Sequence, residues 1–180
     1  MASRLLKNIG IWGYLIFGVV ALLFIFGESL ETPGELSAYL VIALTLIPLA
    51  LMFVLIVKEV SYLKVMFIVL SIILVLLNLT TLFTTDWWNE FRNTNGPVIG
   101  IVSLVVSFAL ALWARVETRL ASLLIISIMI TPLLTEAIQF GRFHFGGSTS
   151  ALSVPGILAG LLILLSTLGA SGKRLQSIVS

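Results

Sequence analysis

Residues 36–57 read LSAYLVIALTLIPLALMFVLIV and contain no aspartate, glutamate, lysine or arginine. A helix that crosses the hydrocarbon core of a bilayer needs about 20 apolar residues, and this stretch supplies them. Glu35 precedes it and Lys58 follows it, so that a charge marks each end. The pattern predicts a transmembrane helix.

The whole chain has the same character. Of its 180 residues, 59% are hydrophobic and 10% are charged, and the mean hydropathy is +1.20. A typical soluble domain carries about 25% charged residues. The deficit excludes a soluble globular enzyme, a disordered chain and a nucleic-acid-binding protein, and it makes the lipid bilayer the first expected partner.

Five further stretches are apolar enough to form membrane helices, and the fifth predicted helix reaches full length only if Glu136 lies inside it. We therefore expect a single polytopic membrane domain over residues 1–180, with the fold of an all-α integral membrane protein that has six transmembrane helices. The predicted helices cover residues 9–27, 37–57, 64–84, 97–114, 119–139 and 152–170.

The charged residues predict the orientation of this bundle. Eight basic residues flank the predicted helices on one side, whereas Arg92 and Arg142 lie on the other side with five of the eight acidic residues. By the positive-inside rule, both termini are expected to be cytoplasmic. The eight basic residues are Arg4, Lys7, Lys58, Lys64, Arg115, Arg119, Lys173 and Arg174.

The chain lacks the residues that many catalytic sites need. It has no cysteine and a single histidine, His144, which excludes disulfides, thiolate chemistry and a multi-histidine metal or haem site. It also has no glycine-rich phosphate loop and no hydrolase nucleophile elbow. We expect no catalytic residue, metal or cofactor, and we rank an enzyme below non-enzymatic functions. Short loops without cysteine indicate a prokaryotic plasma (inner) membrane.

The fifth predicted helix carries a polar stripe. Ser127, Thr131, Thr135 and Gln139 recur every four residues, which places them along one face. Pro132 lies in the same region and removes a backbone donor. Such broken backbone is tolerated inside a membrane where it faces protein or a water-filled cavity.

Glu136, beside this stripe, is the one acidic residue inside a predicted span. A rise of about 1.5 Å per residue from Arg119 puts it about 25 Å across the membrane, near the outer interface. There it can pair with Arg142 or His144, bind a solute or cation from an outward cavity, or transfer a proton.

The outer loops bring further polar and aromatic residues to the same side. Trp87 and Trp88 can belong to the interfacial aromatic belt or to a lid over a binding site. Asn78 can bind a ligand or form a hydrogen bond between helices. The candidate ligand-binding residues are Asn78, Trp87, Trp88, Thr131, Thr135, Glu136, Gln139, Arg142 and His144.

Small residues recur at helical spacing in two predicted helices. Such stripes mark close helix contacts in membranes. They can pack within the chain, against a partner subunit or against a second copy. The candidate helix-packing residues are Gly96, Gly100, Ser103 and Ser107 on the fourth helix, and Gly156 and Gly160 on the sixth.

Two resemblances bear on function. Glu136-Ala137-Ile138-Gln139, followed by Arg142, resembles the Glu-x-x-Gln segment of VanZ-like membrane proteins. The two aspartates and the asparagine that continue that segment have no counterpart in residues 148–160, and a match of so few residues assigns no family. The predicted architecture is also similar to the substrate-capturing S subunits of energy-coupling-factor vitamin transporters, a likeness of shape rather than of motif.

These observations lead to two expected functions. The first is a small-solute binding or transport subunit with an outward-facing cavity. The alternative is a structural or accessory subunit of a larger membrane complex. A chain this short, with one intramembrane acid, is not expected to complete an ion-coupled transport cycle alone, so both functions predict other membrane subunits or self-association.

Overall fold

The computed structural model describes residues 2–31, 38–82, 86–140 and 148–179, with side chains described for 2–27, 43, 45–80, 82, 99–138 and 151–168. These residues form six α-helices, a 3₁₀ turn at Thr80–Leu82 and no strand, which confirms the predicted all-α class. The helices are α1 (Ala2–Glu31), α2 (Ala38–Val57), α3 (Leu63–Leu79), α4 (Asp86–Trp113), α5 (Thr118–Phe140) and α6 (Ser148–Val179).

Three helices extend well beyond the predicted spans. Helix α1 begins at Ala2 rather than residue 9, and α6 continues to Val179 rather than residue 170. The largest difference is α4, which begins at Asp86, whereas the sequence suggested a loop up to residue 97. An aspartate at the start of a helix interacts favourably with the helix dipole. Polar residues outside the hydrocarbon core can thus continue a helix that the apolar pattern does not reveal.

Three helical segments are long and apolar enough to cross a membrane, which indicates a membrane protein. They are Ala2–Gly27, Thr118–Ile138 and Ala151–Leu168, and shorter apolar segments cover Thr45–Val57, Leu63–Leu79 and Ile99–Trp113. The second segment has 21 residues, a length of about 31 Å. That length matches the roughly 30 Å hydrocarbon core of a bilayer.

Helix α4 is the centre of the bundle. It contacts all five other helices, and every residue from 103 to 111 is buried. Around it, α6 packs between α1 and α5, α3 packs on α5, and α2 packs on α1. Small side chains such as Ser107, Ala109 and Ala111 allow neighbouring helices to approach from several sides.

The outward faces of the surrounding helices are apolar. Ile47 on α2 and Ile138 on α5 are 66% and 67% exposed, and Val65 on α3 is similarly exposed. A soluble monomer rarely presents large contiguous apolar surfaces. In a bilayer these side chains would contact lipid, so their exposure agrees with the composition.

Several basic residues gather at one end of the bundle. Lys7 near the start of α1 contacts the α4–α5 turn at Arg115 and Thr118. The α2–α3 turn lies at the same end, because the Phe67 ring of α3 packs 5.1 Å from the Trp113 ring at the end of α4. We name this end, with the start of α1 and these two turns, the basic end.

Candidate functional site

Glu136 lies near the C-terminal end of α5, at the end of the bundle opposite the basic end. It follows Met129 by seven residues and Ile125 by eleven, so all three project from one side of the helix. Met129 and Ile125 are buried in the core. Glu136 itself is half-buried, and its Oε2 atom is screened from solvent. The carboxylate therefore faces the bundle interior rather than lipid.

The predicted polar stripe on α5 is only partly buried in the core. Thr131 and Thr135 are buried, whereas Ser127 is exposed. A spacing of four exceeds the helical repeat of 3.6 residues, so each step rotates by about 40° around the helix. Over eight residues the stripe therefore moves from the outer face to the packed face.

The stripe hydroxyls bind carbonyl groups of their own helix. Thr131 Oγ1 donates to the Ser127 carbonyl at 2.7 Å, and Thr135 Oγ1 donates to the Pro132 carbonyl at 2.9 Å. Ser127 Oγ donates to the Leu123 carbonyl at 2.9 Å. Such bonds satisfy each hydroxyl proton inside the membrane, and each oxygen can still accept a hydrogen bond.

Asn78 occupies the same end of the bundle as Glu136. It is half-buried near the C-terminal end of α3, and its Nδ2 atom donates to the Leu74 carbonyl at 2.9 Å. The following 3₁₀ turn, Thr80–Leu82, packs against α4 and α5. The fold thus brings the end of α3 to the halves of these two helices that lie away from the basic end.

Five predicted ligand-binding residues cannot be placed in detail. Trp87 and Trp88 are in the first turn of α4, and Gln139 is in the last turn of α5, but their side chains lie outside the described residues. Arg142 and His144 are outside the described residues altogether. The predicted pairing of Glu136 with either of them falls there too.

The predicted packing glycines of α6 face α5. A Cβ atom added at Gly156 would lie 2.6 Å from Met129 Cγ. One at Gly160 would lie 2.6 Å from Ile126 Cγ1 and 3.2 Å from the Ser122 carbonyl oxygen. Neither distance leaves room for a side chain, so glycine permits α5 and α6 to approach each other closely.

The stripe of small residues on α4 has two different surroundings. At Ser107 it faces α1, because Ser107 Oγ lies 2.7 Å from the Tyr14 hydroxyl. Farther from the basic end, a Cβ atom at Gly100 would meet no described atom within 4 Å, and Ser103 Oγ is buried without a hydrogen-bond partner among the described residues. Among the described residues, nothing therefore packs against Gly100 or bonds to the Ser103 hydroxyl. The side of α4 at Gly96 is outside the described part.

Tyr14 was not among the residues that the sequence singled out. It is fully buried, and its hydroxyl meets Ser107 on the central helix. The available signal was a tyrosine in the middle of an apolar helix, since a buried tyrosine hydroxyl usually needs a hydrogen-bond partner.

The chemistry available at the end of α5 is that of a hydrogen-bond acceptor with one negative charge. Glu136 contributes a carboxylate, and Thr131 and Thr135 contribute hydroxyl oxygens on the same helix. In the described part of the chain, no three histidine or acidic residues come together to hold a metal ion. A carboxylate suits a small cation or a protonated amine, although Thr131 and Thr135 project from α5 about 140° and 100° away from Glu136.

No family model, curated protein or solved structure matches the chain.

Proposed function

We propose that the protein is a multi-pass protein of a prokaryotic plasma membrane, with six spans and both termini in the cytoplasm. The three long apolar segments and three shorter ones supply six helices. The basic end combines the start of α1 with two of the turns, as expected for a cytoplasmic face. The opposite end, which contains Glu136, then faces outward.

Within this topology the protein is a small-solute binding or transport subunit, and the solute is a cation or carries a protonated amine. The observation that supports this function is the position of Glu136 on the packed face of α5. An ionisable side chain within a membrane helix is costly and usually marks a substrate or ion pathway. A carboxylate kept for function, rather than for solubility, is expected to face inward as this one does.

Part of α4 lies at about the same depth in the bundle as this carboxylate. Helices α4 and α5 are antiparallel and joined by a short turn, so Gly100 lies at about the depth of Thr131, five residues from Glu136. Five residues correspond to about 7.5 Å along the helix axis. Gly100, where an added Cβ would meet no described atom within 4 Å, and the Ser103 hydroxyl are therefore close in depth to the carboxylate.

An accessory subunit is the weaker proposal. The small residues expected to hold a partner pack inside the chain at Ser107, Gly156 and Gly160. A partner subunit or second copy would therefore use another face. We retain such an association as part of the proposed transport function, because a chain this short is not expected to transport alone.

The test of this function is the substitution Glu136→Gln. Purified protein in nanodiscs is heated with sodium, magnesium, ethanolamine or putrescine, each tested separately. A ligand at 100 times its Kd adds about 2.7 kcal/mol to the stability of the folded protein, which for a chain of this size corresponds to about 5 °C or more in Tm. At least one probe is expected to raise the Tm of the wild type, and Glu136→Gln is expected to abolish the shift.

Glu117→Gln is the matched control. It removes the same charge from an exposed carboxylate on the α4–α5 turn, at the basic end, so the Tm shift should be unchanged. The proposal is contradicted if no probe shifts the wild type, if Glu136→Gln keeps the shift, or if the control loses it equally.

A further inference from the structure

Helix α6 extends past the two helices on which it packs. A Cβ atom added at Gly10 of α1 would meet the Ala159 carbonyl of α6, and one added at Gly160 of α6 would meet the Ser122 carbonyl of α5. Because α6 runs antiparallel to both helices, α1 and α5 each begin at the level of α6 that lies about ten residues before its end at Val179. The last 15 Å or so of α6 therefore lie beyond both neighbours.

The side of α6 that faces away from the bundle is apolar at regular intervals. Four large exposed side chains follow one another along it at steps of three, four and three residues, which is the spacing of a heptad repeat. Inside a bilayer, lipid can cover such a face. The four residues, which we name the α6 seam together with the positions that continue their repeat, are Leu158, Leu161, Leu165 and Leu168.

The heptad repeat of the α6 seam continues where the bundle ends. Further steps of four, three and four residues from Leu168 lead to Gly172, Leu175 and Val179. The repeat therefore covers three heptads, from residue 158 to residue 179, and all of it lies within one helix. A repeat sustained over this length is typical of a coiled coil.

The opposite side of α6 changes character at the end of the bundle, whereas the seam does not. Ala159 and Ser166 are buried in the bundle, and the next position of their seven-residue repeat is Lys173. A face that loses its protein neighbours thus becomes cationic, as expected for a solvated surface. The seam leaves the apolar part of the membrane at the same level but remains apolar at Leu175 and Val179. Lipid does not explain these two residues, and another protein surface does.

We propose that a second copy of the chain covers the α6 seam, so that two α6 helices form a parallel two-stranded coiled coil. Two copies inserted into one membrane share their orientation, and their α6 helices then run parallel and in register. Leucine occupies one of the two seam positions in every heptad, as is common in two-stranded coiled coils. Lys173 and Arg174 fall at positions outside the seam, so identical copies do not bring their charges together. This inference rests on the association proposed above and names its partner and its surface.

Cysteine cross-linking tests the arrangement, because the native chain has no cysteine. Leu175→Cys introduces a thiol at a seam position, and Ser177→Cys introduces one at a position about 200° around the same helix. In native membranes treated with copper phenanthroline, Leu175→Cys is expected to give a disulfide-linked dimer and Ser177→Cys to remain monomeric. Equal cross-linking of both variants would indicate random collision. The absence of a dimer with Leu175→Cys would indicate that something other than a second copy covers the seam, and either result overturns the proposal.

The strength of the dimer is the second measurement. Labelled copies are reconstituted in liposomes at decreasing protein-to-lipid ratios, and energy transfer between them reports the dimer. Leu175→Lys is expected to weaken association at least about tenfold, since full burial of a leucine contributes more than the free energy that a factor of ten represents. Ser177→Lys adds the same charge outside the seam and should dimerise as the wild type does.

Two outcomes would contradict the proposal in this measurement. One is association of Leu175→Lys as strong as that of the wild type, and the other is an equal loss in the Ser177→Lys control. Because both substitutions lie beyond the bundle, the ligand test at Glu136 can be repeated in the same variants. Failure of the dimer is thereby distinguished from failure of the solute site.

Discussion

Tyr14 shows how one polar side chain is accommodated in an apolar bundle. Its hydroxyl is fully buried and lies 2.7 Å from Ser107 Oγ. Ser107 Oγ also lies 2.7 Å from the Ser103 carbonyl on its own helix. The contact between the Tyr14 and Ser107 hydroxyls links α1 to the central helix. The Ser103 carbonyl offers the Ser107 hydroxyl a second partner.

We predict that Tyr14→Phe lowers stability only modestly. It removes a hydrogen bond with a net contribution of about 0.5–1.5 kcal/mol, and Ser107 can donate to the Ser103 carbonyl instead. The measurement is chemical unfolding in detergent. Tyr62→Phe changes an exposed tyrosine in the α2–α3 turn and serves as control. An equal loss in both variants would show that the contact with Ser107 does not matter.

The sequence predicts the depth of Glu136 but not the direction of its side chain. Composition and span lengths predict that this acid lies within a membrane helix. Its inward direction, however, depends on which side of α5 packs against the bundle. That side is defined here by buried Ile125 and Met129. Apolar residues occur all the way round α5, so their pattern alone could not reveal it.

At the level of helices, the sequence predicted that each helix exists but did not predict where each one begins and ends. Each of the six helices contains a long apolar stretch, and that is what the sequence detects. The polar residues 86–96 carry no such signal, yet they continue α4. The direction of the α5 stripe was also hidden, because a repeat of four residues drifts around a helix with 3.6 residues per turn.

The α5–α6 contact gives a prediction at this level. Gly160→Ala would place a Cβ atom 2.6 Å from Ile126 Cγ1 and 3.2 Å from a backbone oxygen of α5. Either the Ile126 side chain or the two helices must shift, and overpacking of this kind costs about 1–3 kcal/mol. Thermal unfolding in detergent is the measurement.

Gly13→Ala is the control for that prediction. Gly13 is exposed on α1, and a Cβ atom there would meet no described atom within 4 Å. Alanine at this position should be neutral or stabilising, by up to about 1 kcal/mol of helix propensity. A destabilisation as large as that of Gly160→Ala would argue against close packing as the cause.

At the level of the whole molecule, the described charged residues are distributed unevenly between the two ends of the bundle, and the outward faces are apolar. The basic end contains Lys7, Arg115 and the α2–α3 turn, while Glu136 lies near the other end. This separation is expected if the two ends contact different compartments. The sequence indicates this separation because groups of charged residues alternate with the apolar stretches along the chain. The contacts that these charged residues make became visible only in the fold.

The proposed topology can be tested with single cysteines, because the native chain has none. Glu117→Cys lies on the exposed α4–α5 turn at the basic end, and Gly27→Cys lies at the opposite end of α1, where a Cβ atom would meet no described atom within 4 Å. With cytoplasmic termini, a membrane-impermeant maleimide should label Gly27→Cys in intact spheroplasts and Glu117→Cys only after permeabilisation. The reverse pattern would invert the orientation and place Glu136 on the cytoplasmic side. Labelling of both in intact spheroplasts would mean that α1 does not separate the two ends, and the six-span arrangement would then be wrong.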